Sequence, residues 1–301
     1  MKICVIGGLN VDITGQTAAK LIPHDSNPGH VSLSLGGVGR NIAENLVRLG
    51  AGVSLITALG DDRNGLWARS ECEGIGIDMS ASAEITGMPT GSYLCLNDDQ
   101  GELHCAVSDM RVCDCVTPDF LRGRLDLINS FDAAVIDANL PEESIRFLAE
   151  QCRVPLAADP VSVRKAGKLW DALPRLTLIK PNRAEAAELS GRPVGTPEEA
   201  RVAASALLGL GVRRVMISLG EQGVWYADAE ASGQEKPRPR QVVSTNGCGD
   251  AFFAACLIAM LEGMDTRTMA RMGQAAAALC AESRAAVNPD MTWQKVLGRA
   301  R

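Results

Sequence analysis

The sequence predicts an α/β fold, with a mostly parallel central sheet between helices and a small extra β segment. Two observations carry this. Short apolar, β-branched runs alternate with longer helical patterns along most of the 301 residues. Glycine-rich turns then follow several of the apolar runs and open helices, as they do where parallel strands feed crossover connections.

Taken in order, residues 2–6 (KICVI) read as a buried strand, 39–49 as a helix, 52–58 as a strand and 64–74 as a helix. Further strands are expected at 133–137, 155–159, 176–179 and 214–218, with helical patterns between them. The C-terminal part reads as helices over 251–262, 266–283 and 292–300, with Pro289 marking a break. Residues 10–35 and 83–112 fall outside the alternation. They are rich in β-branched and small polar residues and contain the turn Asn97-Asp98-Asp99-Gln100-Gly101. They are expected to form a small projecting sheet that serves as a lid, a homodimer face or both. Residues 229–240 (AEASGQEKPRPR) read as an exposed polar excursion.

Composition narrows the function. At 46% hydrophobic the chain can bury a full core. A net charge of −6 argues against a nucleic-acid or anionic-membrane partner. No apolar run reaches the roughly 18–20 residues of a membrane span. The chain starts Met1-Lys2-Ile3 with no secretory pattern, and its ten cysteines lie scattered in apolar runs. That pattern predicts reduced thiols and a cytoplasmic setting. Cys113-Asp114-Cys115 has no matching pair or nearby histidine and is a poor zinc signal.

The chemistry concentrates at glycine turns. Val243-Ser244-Thr245-Asn246-Gly247-Cys248-Gly249-Asp250 precedes the apolar run AFFAACLIAML, which reads as a buried helix. A helix start of this kind aims free N–H groups at an anion, and Asp250 is placed to take a proton from a hydroxyl held there. Read alone, Asp250 also fits an ordinary helix cap. Asp12 follows Gly7-Gly8-Leu9-Asn10-Val11 at the carboxyl end of the first strand, where α/β sheets bind ligands, and is a candidate grip on sugar hydroxyls. Gly36-Gly37-Val38-Gly39-Arg40-Asn41 opens a second helix and leaves Asn41 able to bond hydroxyls. Lys180-Pro181-Asn182-Arg183-Ala184-Glu185 offers oxygen ligands suited to hydrated Mg²⁺, and Ser218-Leu219-Gly220-Glu221-Gln222-Gly223 ends a strand in a turn fit for nucleotide phosphates or a chain reversal.

In order, GGLNVD, GGVGRN, KPNRAE, SLGEQGV and NGCGDAFFA resemble the signatures of the ribokinase-like (PfkB) carbohydrate and nucleoside kinases across essentially the whole chain. The resemblance implies a three-layer domain with a small β lid, ATP as donor and transfer to a primary hydroxyl. It makes Asp250 the base and Gly247, Cys248 and Gly249 the anion hole. It places Asn182, Ser218, Gly220, Gly223, Thr245 and Asn288 on ATP, and Asn182 and Glu185 on Mg²⁺ through water. In relatives an acidic residue precedes the threonine; here Ser244 stands before Thr245, which puts a K⁺ requirement in doubt.

The segments His24-Asp25-Ser26-Asn27-Pro28-Gly29, GGVGRNIAENL and Asp159-Pro160-Val161-Ser162-Val163-Arg164-Lys165-Ala166 are most similar to the pseudouridine kinase branch. That implies phosphorylation of a ribose 5′-hydroxyl. Asp12 and Asn41 would then hold the ribose hydroxyls and Ser26, Asn27 or Ser92 would recognise the base, with Gly36, Gly37, Arg40 and Lys165 as further substrate contacts. Ribose, fructose or a purine nucleoside are alternative acceptors, and a non-catalytic sugar or nucleoside sensor is the alternative from another class.

Overall fold

The computed structural model describes residues 1–237 and 241–300. Its main sheet has nine strands in the spatial order Ser232–Glu235, Val224–Ala227, Val215–Ser218, Leu176–Ile179, Leu156–Asp159, Ala133–Asp137, Lys2–Ile6, Gly52–Ile56 and Ile77–Asp78. The seven strands from Val215–Ser218 to Ile77–Asp78 are parallel, and the first two join as an antiparallel edge.

Alternation in the first strand builds the layers. Ile3 and Val5 point into a core with helices Val38–Arg48, Arg63–Gly74, Cys248–Leu261 and Thr266–Ala281. Cys4 and Ile6 point into a second core with Glu142–Gln151, Arg183–Ser190 and Pro197–Gly209. Helix Cys248–Leu261 is buried almost all round, as its uniformly apolar sequence requires.

Two elements differ from the sequence reading. Residues 229–240 are not simply an excursion, because Ser232–Glu235 pairs with Val224–Ala227 at the sheet edge. Arg238, Pro239 and Arg240 of that segment lie outside the described residues. The strand expected at 52–58 stops at Ile56, and Ala58–Gly60 pairs instead with Ala83–Ile85.

A separate four-stranded sheet has the order Gly29–Gly36, Asn10–Thr17, Ser92–Asn97, Leu103–Asp109. Ala83–Ile85 belongs to the two-stranded ribbon, and residues 111–115 form a 3₁₀ turn, so neither enters this sheet. One face of it carries the exposed side chains Val31, Leu33, Leu94 and Val107.

The chain starts inside the main sheet, runs outward through Gly52–Ile56 and Ile77–Asp78, then returns to the other side of Lys2–Ile6 through Ala133–Asp137. This reversal of strand order leaves a crevice beyond the carboxyl ends of the central strands. Gly7, Asp137, Asp159, Lys180 and Ser218 all stand at those ends.

Candidate active site

Register brings the strand-end acids together. Asp137 pairs directly with Asp159, and Ala158 with Ile179, so Lys180 falls beside Asp159. Lys180 Nζ lies 3.0 Å from Asp159 Oδ2. Asp137 is fully buried and takes a different part: its Oδ2 accepts the Gly8 and Gly39 N–H groups, each at 2.8 Å, and the Asn139 amide at 3.0 Å. It thereby ties the turn after the first strand to the start of helix Val38–Arg48. Burial raises its pKa, against those donors.

Asp250 sits in the first turn of helix Cys248–Leu261 and is only 8% exposed. Asn41 Nδ2 donates to Asp250 Oδ2 at 2.9 Å, joining the two glycine-turn motifs across 209 residues of sequence. Burial first, then the Asp159 charge, pushes the Asp250 pKa up to about 7, while Lys180 and Asn41 pull it down. A carboxylate with such a pKa is poised to accept a proton near neutrality.

The preceding turn depends on Gly247. Its φ is 72°, and a Cβ there would collide with the Ala286 carbonyl. Among the described residues no side chain caps the helix start at Gly247. Cys248 N–H bonds to Thr245 O at 3.3 Å, and hydrogen bonding from Cys280 lowers the Cys248 thiol pKa. Thr245 is exposed, and Ser244 Oγ accepts the Asn246 N–H at 3.2 Å.

Between the four-stranded sheet and this turn lies a cleft of about 560 Å³ lined by Asp12, Thr14, Ser32, Ser34, Arg40, Tyr93, Cys95 and Asn246, among others. Asp12 Oδ1 accepts from Asn10 Nδ2 at 2.6 Å, and burial raises the Asp12 pKa against Asn10 and the Arg40 charge. Gly36 packs against that carboxylate, which any side chain there would displace. Gly37 is the N-cap of helix Val38–Arg48. Arg40 donates to Asn41 Oδ1 at 3.1 Å and pairs with Glu44, which also binds Arg48.

Several other sequence candidates stand elsewhere. Tyr93 and Cys95 line the cleft, so the intervening pleat turns Ser92 to the opposite face. Ser26 and Asn27 lie beyond the hairpin end Thr17↔Gly29, about 17 Å along the strand from Asp12. There Asn27 closes its own loop through the N–H and C=O of Ile22 and the C=O of Asp25. Lys165 Nζ bonds to Asn139 Oδ1 at 2.5 Å, which links it to the Asp137 anchor; burial lowers its pKa.

On the other flank, Asn182 and Glu185 form a reciprocal capping box: Glu185 N–H donates to Asn182 Oδ1 at 3.0 Å and Asn182 N–H to Glu185 Oε2 at 2.8 Å. The Asn182 side-chain oxygen is thus spent on the helix. Glu185 is buried, and burial followed by the Asp159 charge raises its pKa. Ser218 bridges to Asn182, and Gly220 and Gly223 close a tight turn through Gly223 N–H to Gly220 O at 2.9 Å. The side chain of Asn288 donates to Leu279 O at 2.6 Å and its Oδ1 accepts Asp290 N–H at 2.9 Å, fixing the turn after helix Thr266–Ala281.

The sequence reading gave no site role to Asp137, Asn139 or Tyr93, and named Asp159 only as the start of the segment Asp159–Ala166. Asp137 and Asp159 carried a usable signal, an acid ending an apolar strand (AAVID, LAAD); Asp12, expected at the carboxyl end of the first strand, lies instead inside Asn10–Thr17 of the four-stranded sheet, because the chain leaves the main sheet after Ile6.

Comparison with known proteins gives one consistent result. A family model described as "pfkB family carbohydrate kinase" matches residues 1–293. The chain is 32% identical over 297 residues to the pseudouridine kinase of Escherichia coli (strain K12), covering 98% of this chain and 95% of that protein. A solved carbohydrate kinase from Agrobacterium tumefaciens superposes with a TM-score of 0.87 at 31% identity, over 99% of this chain and 96% of that one. Arabidopsis thaliana ribokinase, solved with ribose and ATP, has the same fold, with a TM-score of 0.87 at 23% identity over 99% and 98% of the two chains. Together with the joined glycine turns and the buried aspartate, these matches show that the chain belongs to the pfkB family of carbohydrate kinases.

Proposed function

We propose that the protein transfers the γ-phosphoryl group of ATP to the ribose 5′-hydroxyl of a nucleoside, with pseudouridine as the preferred acceptor. The observation that carries this reading is the Asn41–Asp250 hydrogen bond, which holds a carboxylate of raised pKa in the first turn of the open helix, while Arg40 and Asn246, the chain neighbours of Asn41 and Gly247, line the cleft that holds Asp12. Asp12 and Asn41 hold the ribose hydroxyls, Asp250 takes the 5′-hydroxyl proton, and the 247–250 amides receive the phosphoryl group. ATP approaches from the Ser218–Gly223 side.

Two features support a nucleoside over a free sugar. At about 560 Å³ the cleft exceeds what a pentose fills, and its far wall carries Thr14, Ser32, Ser34 and Tyr93, an array able to bond or stack with a base. The similarity to a pseudouridine kinase spans nearly the whole of both chains.

The buried carboxylates Asp159, Glu185 and Asp250 face the Lys180 charge, an excess of negative charge that suits a cation held through water; among the described residues no three such side chains cluster closely enough to ligate a metal directly. Glu185 would hold Mg²⁺ through water, with Asn182 orienting Glu185. When bound, Mg²⁺ offsets triphosphate charge. The segment around Ser244 supplies no carboxylate, so K⁺ is left out of the mechanism.

The exposed apolar face of the four-stranded sheet is proposed as the contact with a second copy of the chain, while its polar face closes over the cleft as a lid.

The test is Mg·ATP turnover with pseudouridine, uridine, inosine, adenosine, ribose and fructose in parallel, with the phosphorylated product read by mass. Preference for pseudouridine supports the proposal. Preference for a free sugar discards the acceptor, and binding without turnover on any of them makes the protein a sensor.

A further inference from the structure

Behind the turn at Gly247–Asp250 stands Lys180, the first residue of the KPNRAE segment, a cation to which the mechanism above gives no part in phosphoryl transfer. Lys180 directly follows strand Leu176–Ile179 and is only 7% exposed. Its ammonium is held by Asp159 at 3.0 Å. The group therefore stays a cation in a site of low dielectric, where a fixed charge acts most strongly.

Gly249 shows which way this cation faces. Unlike Gly247, Gly249 is not among the residues of positive φ, so its backbone accommodates alanine. What the missing side chain provides is space: a Cβ at 249 would stand 2.9 Å from Lys180 Nζ, closer than real Cβ contacts. Glycine therefore keeps a window open between the ammonium and the amides that receive the phosphoryl group. A lysine serving only as the buried partner of Asp159 has no need of that window.

This step rests on the kinase reading. We propose that Lys180 is a catalytic residue that meets the transferring phosphoryl group through the window at Gly249 and stabilises its charge in the transition state, with Asp159 as the positioning residue that holds the ammonium there. The acceptor oxygen bonds to the γ-phosphorus as the bond to the departing ADP oxygen breaks. The hydroxyl proton goes to Asp250, and Lys180 keeps its three protons throughout. Such a fixed donor accounts for roughly a hundredfold or more in kcat, the usual scale for one preorganised charge at a developing anion.

Gly249→Ala separates this role from a structural one. The far end of a lysine moves aside at little cost to folding, and alanine suits a first helical turn. The variant should melt within a few degrees of the wild type while the ammonium is pushed off the turn. Wild type, Gly249→Ala and Lys180→Met are compared for kcat, KM for ATP and melting, together with calorimetric binding of ADP with and without aluminium fluoride, a mimic of the phosphoryl group in flight. The proposal expects kcat to fall about tenfold or more in Gly249→Ala and about a hundredfold in Lys180→Met, with the KM for ATP within about threefold. It also expects both variants to lose the tightening of ADP by aluminium fluoride that the wild type shows. A folded Gly249→Ala with wild-type kcat and undiminished tightening overturns it, even if Lys180→Met fails to fold because Asp159 is left unpaired. A wild type that turns over no acceptor overturns the kinase reading first and this proposal with it, a result distinct from an active wild type with unaffected variants.

Discussion

Asp250 is a carboxylate held between opposing influences, and its titration shows both. Burial and Asp159 favour the protonated acid, whereas Lys180 and the Asn41 amide favour the carboxylate. With a pKa near 7, the base should be lost on the acid side, so log kcat/KM should climb through about pH 6–7 and level off above. A pH–rate profile flat from 5.5 to 8.5 would assign the proton to another group. The same shift affects stability with a definite sign. Because the folded state holds the Asp250 proton more tightly than the unfolded chain, the native state binds more protons between about pH 4 and 7, and stability should decline as pH rises through that window. Asp137 and Glu185 shift the same way, so the test is a difference. Melting curves of Asp250→Asn should decline less steeply with pH than those of the wild type. Asp12→Ala should raise the acceptor KM and leave the KM for ATP nearly unchanged, because Asp12 lines the cleft proposed for the acceptor. An unchanged acceptor KM would make Asp12 a structural residue.

At the scale of elements, the parallel strands and flanking helices were legible because a buried strand is a short apolar run and a crossover helix has a 3.6-residue period. The antiparallel edge was not. Ser232–Glu235 has no apolar pattern; it pairs through its backbone with Val224–Ala227, and Glu235 is fixed by Arg267 at 2.8 Å from another element. The glycine turns were legible as motifs, but which partner each side chain would find was not. Asn182 satisfies its helix, Asn27 its own loop, and Ser92 falls one pleat away from the cleft-lining Tyr93. Asp137 and Asp159 ended expected strands, but the burial and register that bring them together are absent from a linear sequence. The capping box yields a prediction of its own. Asn182→Ala should cost about 1 kcal/mol of stability, read by denaturant melts, and loosen Glu185 as well. A stability equal to wild type would show that the box does not hold this helix.

For the molecule as a whole, the four-stranded sheet presents a polar face to the cleft and an apolar face to solvent, where Val31 is 70% and Val107 64% exposed. If a second copy covers that face, Leu33→Asp combined with Leu94→Lys should give a monomer by sedimentation, with the melting of the main domain little changed. A wild type that already sediments as a monomer at micromolar concentration would remove this contact from the proposal. The larger arrangement has one purpose in this reading. Reversal of strand order opens a crevice, the Asp137 anchor ties two turns across it, and the Asn41–Asp250 bond closes the acceptor side onto the helix start. The most direct check is single-turnover phosphorylation of pseudouridine by the wild type and Asp250→Asn, with product mass and position of the phosphate determined alongside ATP affinity. The expected result is a 5′-phosphate from the wild type and a rate at least about a hundredfold lower in Asp250→Asn at nearly unchanged ATP affinity. Equal rates in the two proteins would contradict the assignment of Asp250 as the base.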